Sequence, residues 1–528
     1  MAMHRFKLGP ILKYGTFGGL AVGTFFSLRT NDYQVDSIGI VRLSRAAAAV
    51  FDITSVYRKK LYQSGLDKGS LEYNNLLSYC HKEAAEKLLQ LCCTNKGVYI
   101  KVGQHIAALD YLVPEEYVQT MKILHSRAPS STLQDVYKVL KEDLKRNPNE
   151  IFKSIELEPL GAASLAQVHK AVLHDGTTVA VKVQHAYVQG NSRVDMKTME
   201  SLVKIVSWLF PDFKFQWLVD ETKKNLPKEL NFEEEGKNAE KISESFRHYE
   251  WLKVPKIRWD LTTPRVLTME YLEGGQVNDL NYIKDNGINP YEVTEKLGKL
   301  YSEMIFMNGF VHSDPHPGNI LVRNSSNNGC EVLLLDHGLY ATLSKEFRVS
   351  YANLWLSILN SDRAAMRMYS DKLGIHGDLY GLFACMVTGR SWDSIMQGID
   401  KRQQTAQDMN KVKQALPRYL PQISGILENV NRQMLLILKT NDLIRGIEHT
   451  LHTHCRKAAF KVMSQYCVKS IYQDKLEISH SRFQKLKIKI IEKWLLFKIN
   501  LYYVLLNLGN LYSIVINIGQ KPLQVIES

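Results

Sequence analysis

The segment from residue 310 to residue 340, FVHSDPHPGNILVRNSSNNGCEVLLLDHGLY, constrains the fold more than any other part of the chain. Its two short apolar runs, NILV and EVLLL, predict a pair of strands joined by a polar turn. Asp314 precedes the first strand, Asn319 begins it, and Asp336 follows the second. A hairpin would bring these three oxygen-bearing side chains to one place. Hard divalent cations such as Mg²⁺ prefer oxygen ligands and in turn carry polyphosphate.

A second block of the chain carries a lysine on a predicted strand. AQVHKAVL and TVAVKVQ alternate around the turn HDGT, which predicts a hairpin over 166–184. Lys182 lies on the second of these strands, where its ammonium group can meet α- and β-phosphates. RVLTMEYL, 265–272, predicts a buried strand, and 293–309 predicts an amphipathic helix. A strand lysine, then helices, then a hairpin flanked by acids is the order of parts in a protein kinase.

Four motifs together resemble the UbiB/ADCK family of atypical kinase-like proteins, and within it the mitochondrial branch of aarF-domain-containing kinases. They are KVGQ at 101–104, GAASLAQVH at 161–169 with VAVK at 179–182, HSDPHPGN at 312–319, and DHG at 336–338. The resemblance implies an α+β, bilobal protein-kinase-like fold with an N-terminal helical KxGQ extension and a long helical C-terminal region. It also implies ATP or ADP, with Mg²⁺, as cofactors.

The resemblance implies that Lys182 holds the α- and β-phosphates of the nucleotide. Its carboxylate partner should come from KELNFEEEGKNAEK, where the family spacing selects Glu235 and leaves Glu233 and Glu234 as alternatives. The nucleotide would also contact the loop LGAASLAQV and a hinge in RVLTMEYLEGG, with Met269 behind the adenine. The implied nucleotide-binding residues are Leu160, Gly161, Ala162, Ala163, Ser164, Val168, Lys182, Glu270 and Leu272.

At HSDPHPGN and DHG the resemblance implies a catalytic and a metal-binding role. Asp314 would orient and deprotonate an acceptor hydroxyl. Asn319 and Asp336 would hold the metal. A capping Asp and a turn Asn explain each residue singly, but not their joint spacing with Lys182.

Two features depart from ordinary protein kinases. The phosphate loop is rich in alanine where a kinase has GxGxxG. Only Gly161 survives, and the added Cβ atoms keep the backbone farther from phosphate. No APE motif follows DHG, and 341–360 predicts a helix instead. The platform that docks a peptide is therefore missing or rebuilt, so a protein substrate is not expected.

The KVGQ motif predicts a restraint on the site, because KxGQ helices of this family fold over it. Lys101 and Gln104 share one helix face and could both reach an acid or a phosphate, although a solvated helix face is the alternative. Glu229 matches the first residue of the family's ExD motif. The third is Asn231, which keeps an acceptor oxygen but loses the charge. Lys101, Gln104 and Glu229 are therefore predicted to be regulatory.

The chain of 528 residues exceeds one typical domain. Its predicted parts are a mitochondrial targeting or membrane segment over 1–31, a helical KxGQ region over 32–155, a kinase-like core over 156–345, a helical extension over 346–470, and basic, apolar helices over 471–528.

The formal net charge of +13 is concentrated at the two ends of the chain. Residues 1–31 carry four basic residues and no acid, and 456–528 carry twelve basic against four acidic residues. The middle is almost neutral, which suits a membrane surface better than nucleic acid. The basic, acid-free first segment is typical of mitochondrial targeting. The uncharged run 499–520 could lie in a membrane interface, line a bundle inside the membrane, or pack on the core.

These observations predict a mitochondrial, inner-membrane-associated, kinase-like ATP-binding protein. Its chemistry would be Mg²⁺-dependent phosphoryl transfer to a small or lipid-like acceptor, or ATP hydrolysis. The family is associated with ubiquinone and lipid homeostasis and with inner-membrane organisation. The implied partners are mitochondrial membrane lipid and inner-membrane proteins, with no nucleic acid. The alternative is a catalytically weak pseudokinase that acts as a nucleotide-regulated switch of a membrane or protein interaction.

Overall fold

The structure is a computed structural model that describes residues 38–67, 69–107, 113–126, 130–209, 216–314, 316–325, 329–398, 422, 426, 430–453 and 456–519. It contains two compact units. Of the described residues, the first unit comprises those up to 236 together with 257–271, and the second comprises 237–256 together with those from 272 onward. The predicted targeting segment, 1–31, lies outside the described residues.

Helices and strands follow one another along the chain. The helices are α1 Gly39–Val56, α2 Leu71–Asn95, α3 Val98–Ala107, α4 Glu115–Met121, α5 Ile123–Ser126, α6 Leu133–Leu144, α7 Pro148–Ile151, α8 Val188–Leu209, α9 Gln216–Glu229, α10 Phe232–Ser245, α11 Leu280–Asp285, α12 Pro290–Glu303, α13 Lys345–Leu359, α14 Arg363–Lys372, α15 Tyr380–Thr388, α16 Trp392–Met396, α17 Arg432–Thr450, α18 Arg456–Ile478 and α19 Arg482–Gly519. The strands are β1 Phe152–Ile155, β2 Gly161–Ala162, β3 Ala166–Leu173, β4 Thr178–Gln184, β5 Leu252–Lys253, β6 Val266–Glu270, β7 Gly275–Gln276, β8 Phe310–His312, β9 Ile320–Ser325, β10 Gly329–Leu334 and β11 Tyr340–Thr342.

The helices that precede the sheet of the first unit begin at capping residues. The Ser70 side chain accepts a hydrogen bond from the first turn of α2, and Thr132 forms a capping box with Asp135 at α6. Helices α3, α4 and α5 pack around an apolar core that includes Ile100 and Met121. These helices lie within 32–155, the range in which the sequence predicts helices.

The sheet of the first unit has the strand order β1-β3-β4-β6, with β2 paired to β3, and every pairing is antiparallel. The predicted hairpin is β3–β4. Gly176 supplies the left-handed φ of +84° that its turn requires. Val179, Val181 and Val183 point into one core, so Lys182 lies on the opposite face of β4.

Two small sheets of the second unit position the acidic segments. One has the order β5-β10-β9-β7, and in it β9 and β10 form the predicted antiparallel hairpin with Ile320 opposite Leu334. The other pairs β8 with β11 and places His312 opposite Tyr340. The segment before β9 and the segment after β10 therefore meet at one end of the hairpin.

Helix α12 starts before the predicted boundary because of its cap. The Asn289 side chain caps it and Pro290 occupies its first turn. Its last part is a π-helix over Met304–Asn308, which ends at Gly309 with a φ of +65°. A Cβ at Gly309 would lie 2.8 Å from Arg348 Nε, so both conformation and space favour glycine.

The C-terminal region is helical. The helix predicted over 341–360 is α13, and the short strand β11 precedes it. Helix α19 joins the two predicted segments 480–498 and 499–520 into one helix. Its Tyr503 is buried, and Ile499 and Tyr502 are partly buried against the core of the second unit. Among the described residues, none of the helices has the length and apolarity needed to cross a bilayer.

Candidate functional site

Lys182 and Glu235 form an ion pair in the first unit. The Lys182 Nζ lies 2.7 Å from Glu235 Oε1, and the two side chains are 13% and 3% exposed. The ammonium group also lies 5.2 Å from the centre of the Phe232 ring. Val168 lies directly opposite Lys182 across the β3–β4 pair, on the same face of the sheet. The structure thus pairs Lys182 with the carboxylate that the family spacing selects.

The first turn of α10 explains the position of this carboxylate. The Asn231 side-chain oxygen accepts the Glu233 N–H at 3.2 Å and so helps to start the helix. Glu234 is exposed and Glu235 is buried, because helix α10 turns them to different faces. The asparagine that departs from the ExD motif therefore has a structural role as a helix cap.

The alanine-rich loop is a closed hairpin between β2 and β3. The Leu160 N–H donates to the Val168 carbonyl oxygen and the Ala163 N–H donates to the Ala166 carbonyl oxygen, both at 2.8 Å. These backbone donors are used within the hairpin, whereas a glycine-rich phosphate loop points such groups at its ligand. Ser164 is buried beneath the turn.

His185 fixes the alanine-rich loop to the sheet. Its Nε2 donates to the Ala163 carbonyl oxygen at 3.1 Å, and its backbone N–H donates to the Leu165 carbonyl oxygen at 3.0 Å. Nδ1 then accepts from the Ser131 hydroxyl, 2.7 Å away. The imidazole is neutral in this arrangement, and burial lowers the pKa of His185.

In the KVGQ motif the two predicted regulatory residues meet different partners. Lys101 Nζ lies 2.8 Å from Glu229 Oε2, and both side chains are largely buried. The Gln104 side-chain amide donates to the Leu124 backbone carbonyl oxygen at 2.9 Å, and its predicted contact with an acid or a phosphate stays a prediction. Gly103 lies against Leu124 where a side chain would not fit.

The residues of the predicted hinge lie at the end of β6 and beyond it. Met269 is buried in the first unit with Ala180 and Phe232. Glu270 is exposed at the end of β6, and Leu272 belongs to the second unit. Their predicted contacts with adenine stay predictions.

In the second unit, His312 connects the two acidic segments. It is buried, its Nδ1 accepts the Asp314 N–H at 3.0 Å, and its Nε2 donates to the Asp336 carbonyl oxygen at 2.7 Å. These two bonds require a neutral imidazole with its proton on Nε2. Burial is the main cause that lowers the pKa of His312. The backbone at HSD is thereby tied to the backbone at DHG.

Asn319 and Asp336 complete a hydrogen-bonded set with Asp314. The side-chain amide of Asn319 donates to the backbone carbonyl oxygen of Asp314 at 3.3 Å. The backbone carbonyl oxygen of Asn319 accepts the Leu335 N–H at 3.1 Å. Asp336 Oδ1 accepts the Gly338 N–H at 2.9 Å, which shapes the DHG turn. The structure therefore brings the three predicted residues of this unit together.

His337 holds the DHG segment from its other side. Its Nε2 donates to the Leu334 carbonyl oxygen at 3.1 Å, and its Nδ1 lies 2.9 Å from the Tyr340 hydroxyl. The Asn238 amide donates to the His337 carbonyl oxygen at 3.0 Å. The histidine of DHG is therefore a positioning residue that fixes the loop carrying Asp336.

The donor set at Asn319 and Asp336 fits a hard cation. One carboxylate and one amide oxygen suit Mg²⁺, which takes few protein ligands and completes its shell with phosphate oxygens and water. The described part of the chain holds no group of three or more His, Cys, Asp and Glu side chains placed to bind a metal.

A lysine far along the chain also reaches Asp314. Lys439, on α17, places its Nζ 3.1 Å from Asp314 Oδ1, and the two side chains are 30% and 36% exposed. A charged hydrogen bond of this kind restrains the carboxylate. Reasoning from the sequence missed Lys439 because it follows Asp314 by 125 residues and belongs to no motif.

Comparison with known proteins gives these motifs their family. The model of the ABC1 atypical kinase-like domain matches residues 123–370. The AarF domain-containing kinase 1 of Drosophila melanogaster is 58% identical over 505 residues, 95% of this chain and 98% of the relative. The chain belongs to the ABC1/AarF family of atypical kinase-like proteins. The AarF domain-containing protein kinase 1 of Mus musculus is 50% identical over 488 residues, 92% of each chain.

The ABC1/AarF domain match confirms the predicted kinase-like α+β fold. The matched range, 123–370, is wider than the predicted core of 156–345. KVGQ at 101–104 and Lys439 nevertheless lie outside the matched range. Among solved structures, a Mycobacterium tuberculosis protein in complex with erythromycin aligns with 75% of this chain. The alignment spans 99% of that protein's chain, with 20% sequence identity and a TM-score of 0.45.

Proposed function

We propose that this ABC1/AarF protein binds ATP with Mg²⁺ and transfers the terminal phosphoryl group to a small or lipid-like acceptor, or to water, at a mitochondrial membrane. The observation that carries the proposal is the hydrogen-bonded set of Asp314, Asn319 and Asp336 around the neutral His312. Phosphoryl transfer depends on positioning and on charge stabilisation, and these residue types supply both.

Each residue has a defined part in this chemistry. Lys182, oriented by Glu235, would bind the phosphates, and Asp314 would accept the proton of the attacking hydroxyl. Asn319 and Asp336 would hold Mg²⁺. When bound, the ion neutralises the charge that develops on the phosphate oxygens.

The short connection after DHG supports a small acceptor. Strand β11 ends at Thr342 and α13 begins at Lys345. A protein kinase places its peptide-docking segment after DFG. An acceptor with a single reactive hydroxyl, such as a lipid or a quinone precursor, needs no such platform. The family's association with ubiquinone and lipid homeostasis points to the same class.

A second candidate is a nucleotide-regulated switch with little turnover. It is favoured by the ExD segment, where Glu229 is bound to Lys101 and Asn231 carries no charge. The closed alanine-rich hairpin favours it too, because its backbone donors are used internally.

The test uses the full chain with radiolabelled ATP, Mg²⁺ and mitochondrial lipid extract. We expect turnover that is lost in Asp336→Asn and kept in Asp378→Asn, a control whose side chain is 92% exposed. Tight ATP binding with no turnover in any lipid would favour the switch. The absence of nucleotide binding would reject both candidates.

A further inference from the structure

Helix α19 carries a continuous apolar stripe that faces solvent. The side chains repeat at spacings of three and four residues and are each at least 45% exposed; they are Phe483, Leu486, Ile490, Trp494, Phe497 and Leu501. At 100° per residue they fall within an arc of about 80°. Single exposed apolar residues are normal, but an aligned row of this length marks an interaction surface.

The stripe faces solvent although the helix is docked. Ile499, Tyr502 and Tyr503 lie on the opposite side and pack against the core of the second unit. Asn500 accepts a hydrogen bond from Gln465 of α18 at 2.9 Å. The helix therefore has two apolar faces, and its own unit covers one of them.

Charges border the stripe in a regular way. Lys487 and Lys498 lie at one edge, and Lys489 and Lys493 lie at the other. Between Arg482 and Leu505 the one acidic residue is Glu492, which falls on the side opposite the stripe. The stripe is thus apolar in the middle and cationic at both rims.

One rim lysine also contacts the stripe itself. Lys498 Nζ lies 5.3 Å from the centre of the Trp494 ring, and that ring stacks on Phe497 with centroids 5.7 Å apart. A tryptophan with a neighbouring cation is typical of the boundary between headgroups and acyl chains.

We propose that this face of α19 docks flat on a membrane that contains anionic phospholipid, with the stripe below the headgroups and the lysines among them. A second copy of the chain fits less well, because a symmetric contact would place like-charged rims against each other. The inference rests on the proposed function only in naming a membrane, and it needs none of the nucleotide chemistry.

The test measures binding of the full chain to phosphatidylcholine vesicles with and without phosphatidylglycerol. We expect binding roughly tenfold tighter or more with the anionic lipid, since each lysine near the surface contributes about fivefold. Trp494→Gln combined with Phe497→Gln should weaken binding roughly tenfold. Lys487→Gln combined with Lys498→Gln should reduce the preference for anionic vesicles by about fivefold or more, and Lys489 and Lys493 at the other edge should retain the rest.

Matched controls separate docking from folding and from catalysis. Trp208→Gln removes a tryptophan that is 81% exposed in the first unit and should leave vesicle binding unchanged. Each variant is compared with wild type by circular dichroism and for ATP turnover in detergent. A stripe variant that loses vesicle binding but retains ATP turnover supports α19 as a membrane-docking surface that is separate from the nucleotide site.

Three results would overturn the proposal. The stripe variants could bind vesicles like wild type, or neutral and anionic vesicles could bind equally. Light scattering could instead show that wild type is a dimer and the stripe variant a monomer, which would assign the face to self-association.

Discussion

Glu235→Gln tests the ion pair with Lys182 by removing one charge and keeping the side-chain shape. The charged atoms are 2.7 Å apart, so their attraction is about 6 kcal/mol at an effective dielectric constant of ~20. Desolvation offsets much of this in wild type. In the variant the ammonium group keeps its desolvation cost but loses its attraction to the Glu235 carboxylate, and removing one partner of a buried ion pair typically costs ~3–5 kcal/mol. Because Lys182 retains some exposure, we expect a loss of about 3 kcal/mol in the free energy of unfolding.

The assay is urea unfolding with hydrogen exchange measured on peptides from β3 and β4, where the loss should be greatest. Glu234→Gln is the matched control, one residue away and exposed, and it should change stability by less than ~0.5 kcal/mol. Adding Lys182→Met to Glu235→Gln should recover part of the loss, because the desolvation cost of the ammonium group is then removed as well. Equal stability of Glu235→Gln and Glu234→Gln would refute the reasoning.

Three further predictions concern other parts of the molecule. Lys439→Met should lower ATP turnover roughly tenfold, since Asp314 loses its restraint, and Lys439→Arg should restore part of it; unchanged turnover in the Met variant would contradict the role. Gly103→Ala should lower the free energy of unfolding in urea by about 1–3 kcal/mol, because its Cβ would collide with the buried Leu124. The control Gly298→Ala, which has open space around it, should leave that free energy unchanged or raise it by up to ~1 kcal/mol. Burial lowers the pKa of His185 below its usual value of 6.5. Below that pH the unfolded chain binds a proton more readily than the folded chain does, so the free energy of unfolding falls. Between pH ~7.5 and ~5.5 the urea midpoint should therefore drop less in His185→Gln than in wild type.

Local patterns were enough to predict the elements around the site. Alternation with a turn signal predicts β3–β4, and the apolar runs around 320–334 predict β9–β10, because the strand period is visible in a single strand. Boundaries were less exact where caps decide them. Helix α12 starts at Pro290, before the first predicted residue at 293, because Asn289 caps it.

Contacts between distant parts of the chain were harder to predict. The spacing of a known family identified Glu235, but no local pattern identifies Lys439, since its side chain meets Asp314 only in the folded unit. His312 was visible within a motif, yet its link to the Asp336 backbone depends on the pairing of β8 with β11. Gln104 is a similar case, since its hydrogen bond to the Leu124 carbonyl oxygen joins residues 20 positions apart and no local pattern predicts it.

The position of Lys439 bears on how this protein should be handled at the bench. A recombinant fragment trimmed to the family domain, 123–370, would contain Asp314 but lack the cation that touches it, and would also lack the lysine that holds Glu229. Kinetic measurements on such a fragment would describe a differently restrained carboxylate. The helical remainder of the chain supplies contacts to residues of the candidate site, and activity should be sought with it in place.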